Sequence, residues 1–165
     1  QLYLDARRRL MEKEPDPYAS QLARELVCHL SGKSHTQFLQ DRDLFASEEI
    51  TSAVDDAVCR LLADEPLAYI LGEWSFYGLN LYVDKNVLIP RDDTCAVTAL
   101  AIKQALFLQQ APRVLDLCTG SGCIGLAIAS RVKDAKVTLA DISKEALAVA
   151  RKNIKCKSTK ERRVL

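Results

Sequence analysis

One stretch constrains this chain more than any other. Val114-Leu115-Asp116-Leu117-Cys118-Thr119-Gly120-Ser121-Gly122-Cys123-Ile124-Gly125 is an apolar run that passes directly into three closely spaced glycines. Val114, Leu115 and Leu117 form the near-continuous apolar run of a parallel strand covered on both faces. Gly120 and Gly122 permit positive φ and close backbone approach, so a ligand can lie against bare peptide. The helix that opens next aims its unpaired N–H groups at that ligand. A second apolar run, Val137 to Ala140, ends on Asp141, nineteen residues past Gly122. An acid at the tip of a neighbouring strand can accept both hydroxyls of a ribose, and charge-assisted bonds of that kind contribute about 1.5–3 kcal/mol each. Strand, glycine turn, helix, strand and acid together predict a parallel α/β sheet holding a nucleotide-type cofactor at its strand tips.

Gly120, Gly122 and Gly125 also fit G-x-G-x-x-G, the dinucleotide fingerprint, which alone is a weak signal. Asp116, four residues before Gly120, discriminates between ligands. A carboxylate facing the turn repels a pyrophosphate and favours a cationic, phosphate-free ligand such as S-adenosylmethionine, whose ammonium and sulfonium are both positive. The Asp-x-Cys-x-Gly-x-Gly string resembles the first motif of the Rossmann-like methyltransferases. A nicotinamide or flavin dinucleotide is the rival ligand, and a loop without ligand is the other alternative, although three glycines so close together would weaken a purely structural connection. The candidate cofactor-binding residues are Asp116, Cys118, Thr119, Gly120, Ser121, Gly122, Asp141 and Ile142.

Composition narrows the field. The 165 residues can bury about 68–70% of the unfolded chain's surface. Lys plus Arg is 23 against 22 for Asp plus Glu, a net charge of +1, so no global electrostatic case exists for direct nucleic-acid binding. The dense basic run, Lys152 to Arg163, reads as a solvated loop or helix end. No apolar stretch reaches membrane-spanning length, and Gln1-Leu2-Tyr3-Leu4-Asp5 is no signal peptide. Because the chain starts without Met, a few native residues are expected to precede it. The six cysteines, Cys28, Cys59, Cys95, Cys118, Cys123 and Cys156, include no C-x-x-C pair, and His29 and His35 lie far from Cys118 and Cys123. Zinc-ligand spacing is therefore lacking, and no metal is expected. Most of these cysteines read as small buried hydrophobes in a reducing cytoplasm. Cys118 differs, since it lies in the turn and could touch ligand.

Along the chain, the first seventy or so residues read as helices joined by short polar segments. One covers Gln1 to Lys13. Asp16-Pro17 caps a second, along Tyr18, Leu22, Leu26 and Leu30, which Gly32 stops. Ser34 to Gln40 is a short helix. Ser47 caps another, with Glu48 and Glu49 in its first turn and a stripe of Ile50, Val54, Val58, Leu61 and Leu62. Pro66 to Gly72 is a short helix. Trp74–Tyr77 and Leu79–Val83, with Gly78 between them, predict a β-hairpin. Ile89 is extended before Pro90. Asp92 or Asp93 can cap a helix running to about Gln110 along Val97, Leu100, Ala101, Ala105 and Leu106. Two parallel strands follow, Arg113–Leu117 and Lys136–Ala140, with a helix from Gly122 to Arg131 between them. A further helix, capped by Ser143, runs towards Lys152, and residues 163–165 can open a third strand.

Four segments together carry a closer resemblance: Glu65-Pro66-Leu67-Ala68-Tyr69-Ile70-Leu71-Gly72-Glu73, Phe76-Tyr77-Gly78-Leu79, Val87-Leu88-Ile89-Pro90-Arg91 and the Asp116–Gly122 turn. They resemble the HemK-type peptide chain release factor N5-glutamine methyltransferases, over essentially the whole chain to about residue 152. The resemblance implies a small all-helical N-terminal domain that docks substrate (1–72), a β-hairpin linker (73–91) and the first part of an α/β Rossmann-like class I methyltransferase domain (92–165) with a truncated parallel sheet. It further implies a cytoplasmic enzyme that transfers methyl from S-adenosylmethionine to the side-chain amide of the glutamine in a release factor's Gly-Gly-Gln loop. In that family the glycine turn and the acid after the second strand hold the cofactor.

Three departures qualify the likeness. Cys118 stands where the family has glycine; if that position needs positive φ, a side chain there costs about 1–2 kcal/mol. The family's Pro-Arg-Pro-Glu-Thr is here Pro90-Arg91-Asp92-Asp93-Thr94, which keeps an acid as a helix cap. The family's Asn-Pro-Pro-Tyr, which holds the acceptor amide, is nowhere in this sequence, so no catalytic residue is named. A two-stranded parallel fragment would expose an open edge and a bare apolar face, and the chain is expected to be part of a longer protein. Arg91 is either a contact for cofactor or substrate or a surface arginine paired with Asp92 or Asp93. Trp74, Phe76 and Tyr77 read as hairpin core rather than a ligand stack. Two other functions stay open: an amino-group methyltransferase acting on adenine in nucleic acid, and a non-catalytic module whose helical part binds a partner.

Overall fold

A computed structural model describes residues 1–41, 46–108 and 111–158, which fall into two compact units, Gln1–Leu71 and Gly72–Leu165. The first unit is entirely helical among its described residues: α1 (Leu2–Leu10), α2 (Asp16–Ser31), α3 (His35–Gln40), α4 (Glu48–Leu62) and α5 (Leu67–Leu71). Amphipathic spacing dictates its core, in which Leu10, Leu22, Leu26, Val54 and Val58 are buried against one another. Gly32, at φ 66°, closes α2 in the left-handed conformation expected of a C-terminal glycine. Ser47 accepts the Ile50 N–H at the start of α4 as its position predicts.

Local details differ from expectation. α1 stops at Leu10, three residues early, in a turn over 11–13. Pro15 rather than Asp16 occupies the cap position of α2, because the Asp16 carboxylate is engaged elsewhere, by Arg7 at 2.7 Å and the Ser20 hydroxyl at 3.0 Å. α3 carries a full reciprocal capping box, with the Ser34 Oγ accepting from Gln37 N and the Gln37 Oε1 accepting from Ser34 N.

The second unit begins with the antiparallel hairpin β1 (Glu73–Phe76) and β2 (Leu79–Tyr82). Its two-residue loop places both Tyr77 (φ 50°) and Gly78 (φ 78°) in the left-handed region, the turn geometry that suits the twist of a hairpin. Phe76 and Leu81 are buried, Tyr77 packs beside them under the Arg131 guanidinium, and Trp74 donates its indole N–H to Pro90 O at 3.0 Å. Phe76 and Tyr77 are hairpin core, as read, while Trp74 is half-buried. Next come α6 (Asp93–Phe107), β3 (Arg113–Leu117), α7 (Cys123–Arg131), β4 (Lys136–Ala140) and α8 (Lys144–Ser158). β3 and β4 pair in parallel, with Asp116 opposite Leu139 and Leu117 opposite Ala140. Helical unit, hairpin and an α/β region with a small parallel sheet together make the expected architecture.

Two expectations about burial fail here. α6 buries Thr98, Ile102 and Ala105, while Val97 (59% exposed), Leu100 (65%) and Leu106 (61%) face outward. The helix carries apolar residues on more than one side, so its pattern does not choose a face. Among the described residues β3 is covered only on the α7 side: Leu115 is 63% and Leu117 68% exposed. Asp92 sits at the cap position of α6 without a side-chain cap bond, because its backbone is already helical at φ −61°, ψ −34°. α8 extends six residues beyond Lys152. The stretch near Gln110 and the third strand at 163–165 lie outside the described residues. Among the described residues no helix is long and apolar enough to cross a membrane.

Candidate cofactor site at the glycine turn

The turn between β3 and α7 is held from both strands. Thr119 donates its N–H to Ala140 O at 3.0 Å, so the turn is pinned where β4 ends. Gly122 N donates to Thr119 O at 2.8 Å and closes the loop on itself. Gly120 (φ 54°) and Gly122 (φ 84°) both take left-handed conformations, and a Cβ at Gly120 would meet open space within 4 Å. Gly125 serves packing instead: a Cβ there would collide with the Leu139 side chain, 3.0 Å from Asp116 Oδ2 and 3.2 Å from Val137. Its absence lets α7 lie flat on the two strands, the part the third glycine of such turns plays.

Both acids are present at this turn, in different roles. Asp116 is buried on the α7 side of the sheet; its Oδ2 accepts from Thr119 Oγ1 at 2.6 Å and from Gly125 N at 2.9 Å. That oxygen braces the loop to the first turn of α7, while Oδ1 takes no part in either bond. Asp141 follows β4. Its Oδ2 accepts the Gly120 N–H at 2.9 Å and its Oδ1 the Ser143 N–H at 3.0 Å. The N–H groups of Ser143 and then Gly120 hold the Asp141 carboxyl below the usual carboxylate range, with partial burial opposing them and the Ile142 N–H adding to them. Each carboxylate oxygen has a second lone pair, so these bonds leave Asp141 able to accept further donors. The two carboxylates therefore grip one loop from adjacent strand tips: Asp116 at Thr119 and Gly125, Asp141 at Gly120.

The other sequence candidates separate into inward and outward groups. Thr119 and Ser121 are buried, so their side chains belong to the scaffold. The Ser121 hydroxyl has no partner of hydrogen-bonding geometry; it lies near the Cys123 thiol, which burial pushes up and which Ser121 partly offsets. Cys118 is exposed and adopts φ 60°, the left-handed region that favours glycine. Ile142 is fully exposed beside Asp141. Arg91 is exposed at the start of α6; it accepts the Thr94 N–H through its carbonyl, and its guanidinium makes no ion pair with Asp92 or Asp93 among the described residues. Among the described residues no hydrogen bond or ion pair ties Arg91 to the turn.

One residue escaped the sequence reading. Asn153, on α8, is 1% exposed; its Nδ2 donates to Ser121 O and Tyr82 O at 2.9 Å each, and its Oδ1 accepts Tyr82 N at 2.7 Å. An asparagine in a polar helix segment gives no local sign of this, since its partners lie 32 and 71 residues away.

Comparison with known proteins matches each unit in turn. Residues 1–72 match the model of the PrmC N-terminal domain, and residues 94–164 match the methyltransferase small domain. The parallel sheet with this turn, together with that match, gives residues 94–164 the fold of part of a class I methyltransferase domain. The chain is 35% identical over 147 residues to the release factor glutamine methyltransferase of Bacteroides thetaiotaomicron, covering 89% of this chain and 52% of that protein. It is 37% identical over 141 residues to the enzyme of that name from Chlorobaculum tepidum (83% and 48%), and 45% identical over 109 residues to that of Streptococcus pneumoniae (66% and 38%). Over most of its length the chain is thus similar to release factor glutamine methyltransferases. It spans about half the length of the curated relatives it matches.

Proposed function

We propose that this chain is the cofactor-holding part of a cytoplasmic S-adenosylmethionine-dependent methyltransferase that acts on the glutamine amide of the Gly-Gly-Gln loop in peptide chain release factors. The observation that carries the reading is the pair of carboxylates closing on one glycine turn from adjacent parallel strand tips. Two negative charges at that turn disfavour a pyrophosphate and suit a sulfonium and an ammonium. The names of the relatives support the protein substrate.

In this reading Asp141 accepts hydrogen bonds from ribose hydroxyls, the bare peptide at Gly120 permits close approach, and Ile142 offers an apolar surface beside the acid. Thr119 and Ser121, with their side chains buried, contribute only through the backbone. Asp116 shapes the loop and adds negative charge. When bound, S-adenosylmethionine supplies an electrophilic methyl carbon. An amide nitrogen is a poor nucleophile because its lone pair is delocalised, so transfer to it depends on alignment and desolvation. The Asn-Pro-Pro-Tyr that supplies alignment in the family is not in this sequence, and this chain's own contribution is to hold and orient the donor. The proposed division of labour gives 1–72 to substrate docking, 73–91 to linkage and 92–165 to the cofactor.

Calorimetric titration of the chain with S-adenosylmethionine and, separately, with NADH tests the reading. Binding of the first and not the second is expected. Asp141→Ala should weaken binding by about tenfold to a hundredfold, the loss of one or two charge-assisted hydrogen bonds. Binding of NADH instead, or no effect of Asp141→Ala, would refute it.

A further inference from the structure

The Asn153 side chain does what a neighbouring strand would do. Through Oδ1 and Nδ2 it takes both the N–H and the C=O of Tyr82, at the end of β2, as a peptide group would in an antiparallel pair. Its second Nδ2 proton goes to Ser121 O inside the glycine turn. Both donors and the acceptor are thus used, in a site that is 1% exposed. No other side chain of this size offers two donors and an acceptor in one plane. Aspartate keeps the acceptor but presents a second oxygen to two carbonyls, and leucine keeps the volume but leaves three buried polar groups unsatisfied.

The turn then has one anchor from each surrounding element. Asp116 of β3 holds Thr119, Asp141 after β4 holds Gly120, and Asn153 of α8 holds Ser121. The first two are the acids already assigned to the cofactor. The third reaches the turn from behind and is the one that continues to the hairpin, where Trp74 of β1 pairs with Leu81. The geometry points to Asn153 as a positioning residue for cofactor binding, which sets the conformation of the glycine turn and couples its occupancy to the backbone of β2. This rests on the proposed cofactor reading. A residue that touches no ligand acts here by preorganising the peptide that does: a turn that must be ordered at the moment of binding holds its ligand less tightly.

Two measurements test it. In calorimetry, Asn153→Asp and Asn153→Ala should weaken S-adenosylmethionine by at least about tenfold, the loss of a buried hydrogen-bond network. Val149→Ala, four residues earlier on α8 and buried, lowers stability as well and should leave the affinity within about twofold, since it removes packing and no turn anchor. Should the Asn153 variants fail to fold, amide exchange in the unmodified chain decides: the Tyr82 N–H, bonded to Asn153, should exchange more slowly with saturating S-adenosylmethionine than without it. Unchanged affinity in folded Asn153 variants would overturn the inference and leave the cofactor reading standing, and so would a Tyr82 amide indifferent to ligand. Absence of S-adenosylmethionine binding by the unmodified chain would overturn the cofactor reading and this inference with it.

Discussion

Cys118 stores strain that a single substitution should release. Its φ of 60° lies in the left-handed region, where the Cβ of an L-residue crowds the following carbonyl and costs about 1–2 kcal/mol. Replacement by glycine removes that cost and adds back unfolded-state freedom worth about 0.4–1 kcal/mol, which leaves a net stabilisation of about 1 kcal/mol. Little else changes, because Cys118 is exposed and gives up no core contact. For a domain of 60–100 residues that gain raises the melting midpoint by about 4–8 °C. Trp74, the one tryptophan of the chain, sits in the second unit and reports its unfolding by fluorescence without signal from the helical unit. Cys118→Ala keeps the same backbone cost and should stay within about 0.5 kcal/mol of the parent. Cys118→Val, stiff at χ1, should fall below it. A Cys118→Gly chain that melts with Cys118→Ala would refute the reasoning, since the strained backbone would then carry no cost.

Two further outcomes follow from the same turn. Gly125→Ala drives a methyl into Leu139, Val137 and Asp116, and overpacking of this kind should destabilise the second unit by about 1–3 kcal/mol in a urea titration; a neutral result would mean that α7 can lift from the strands without penalty. Asp141, depressed by the N–H groups of Ser143 and Gly120, has a lower pKa folded than unfolded, so its contribution is complete above the ordinary carboxylate value and is lost as pH falls through the folded one. The Gly120 and Ser143 amide resonances should therefore titrate together below the usual aspartate range, and the acid limb of unfolding should be shallower in Asp141→Asn; an inflection at or above that range would contradict the bonding seen.

The sequence by itself determined whatever depends on neighbours a few residues apart. Gly120 and Gly122 announced a left-handed loop because only the backbone conformation of the residue itself is at stake. Ser47, Gly32 and Gly78 marked their boundaries by local hydrogen bonding and φ alone, whereas Tyr77, read as strand, joins Gly78 in the loop; Asp141 was placed by the length of one helix and one strand. Tertiary structure decided what requires elements distant in the chain. α6 carries apolar residues on more than one side, so only the location of α7 and β3 selects Thr98, Ile102 and Ala105 for burial and leaves Val97, Leu100 and Leu106 outside. Thr119 turns inward because Asp116 offers it an acceptor, and the Asp116 oxygen is in turn fixed by Gly125. Asn153 acquires its place only when Tyr82, Ser121 and α8 converge. Local pattern encodes which peptide bends where; the partners of a buried polar group are set by packing, which no window of adjacent residues contains.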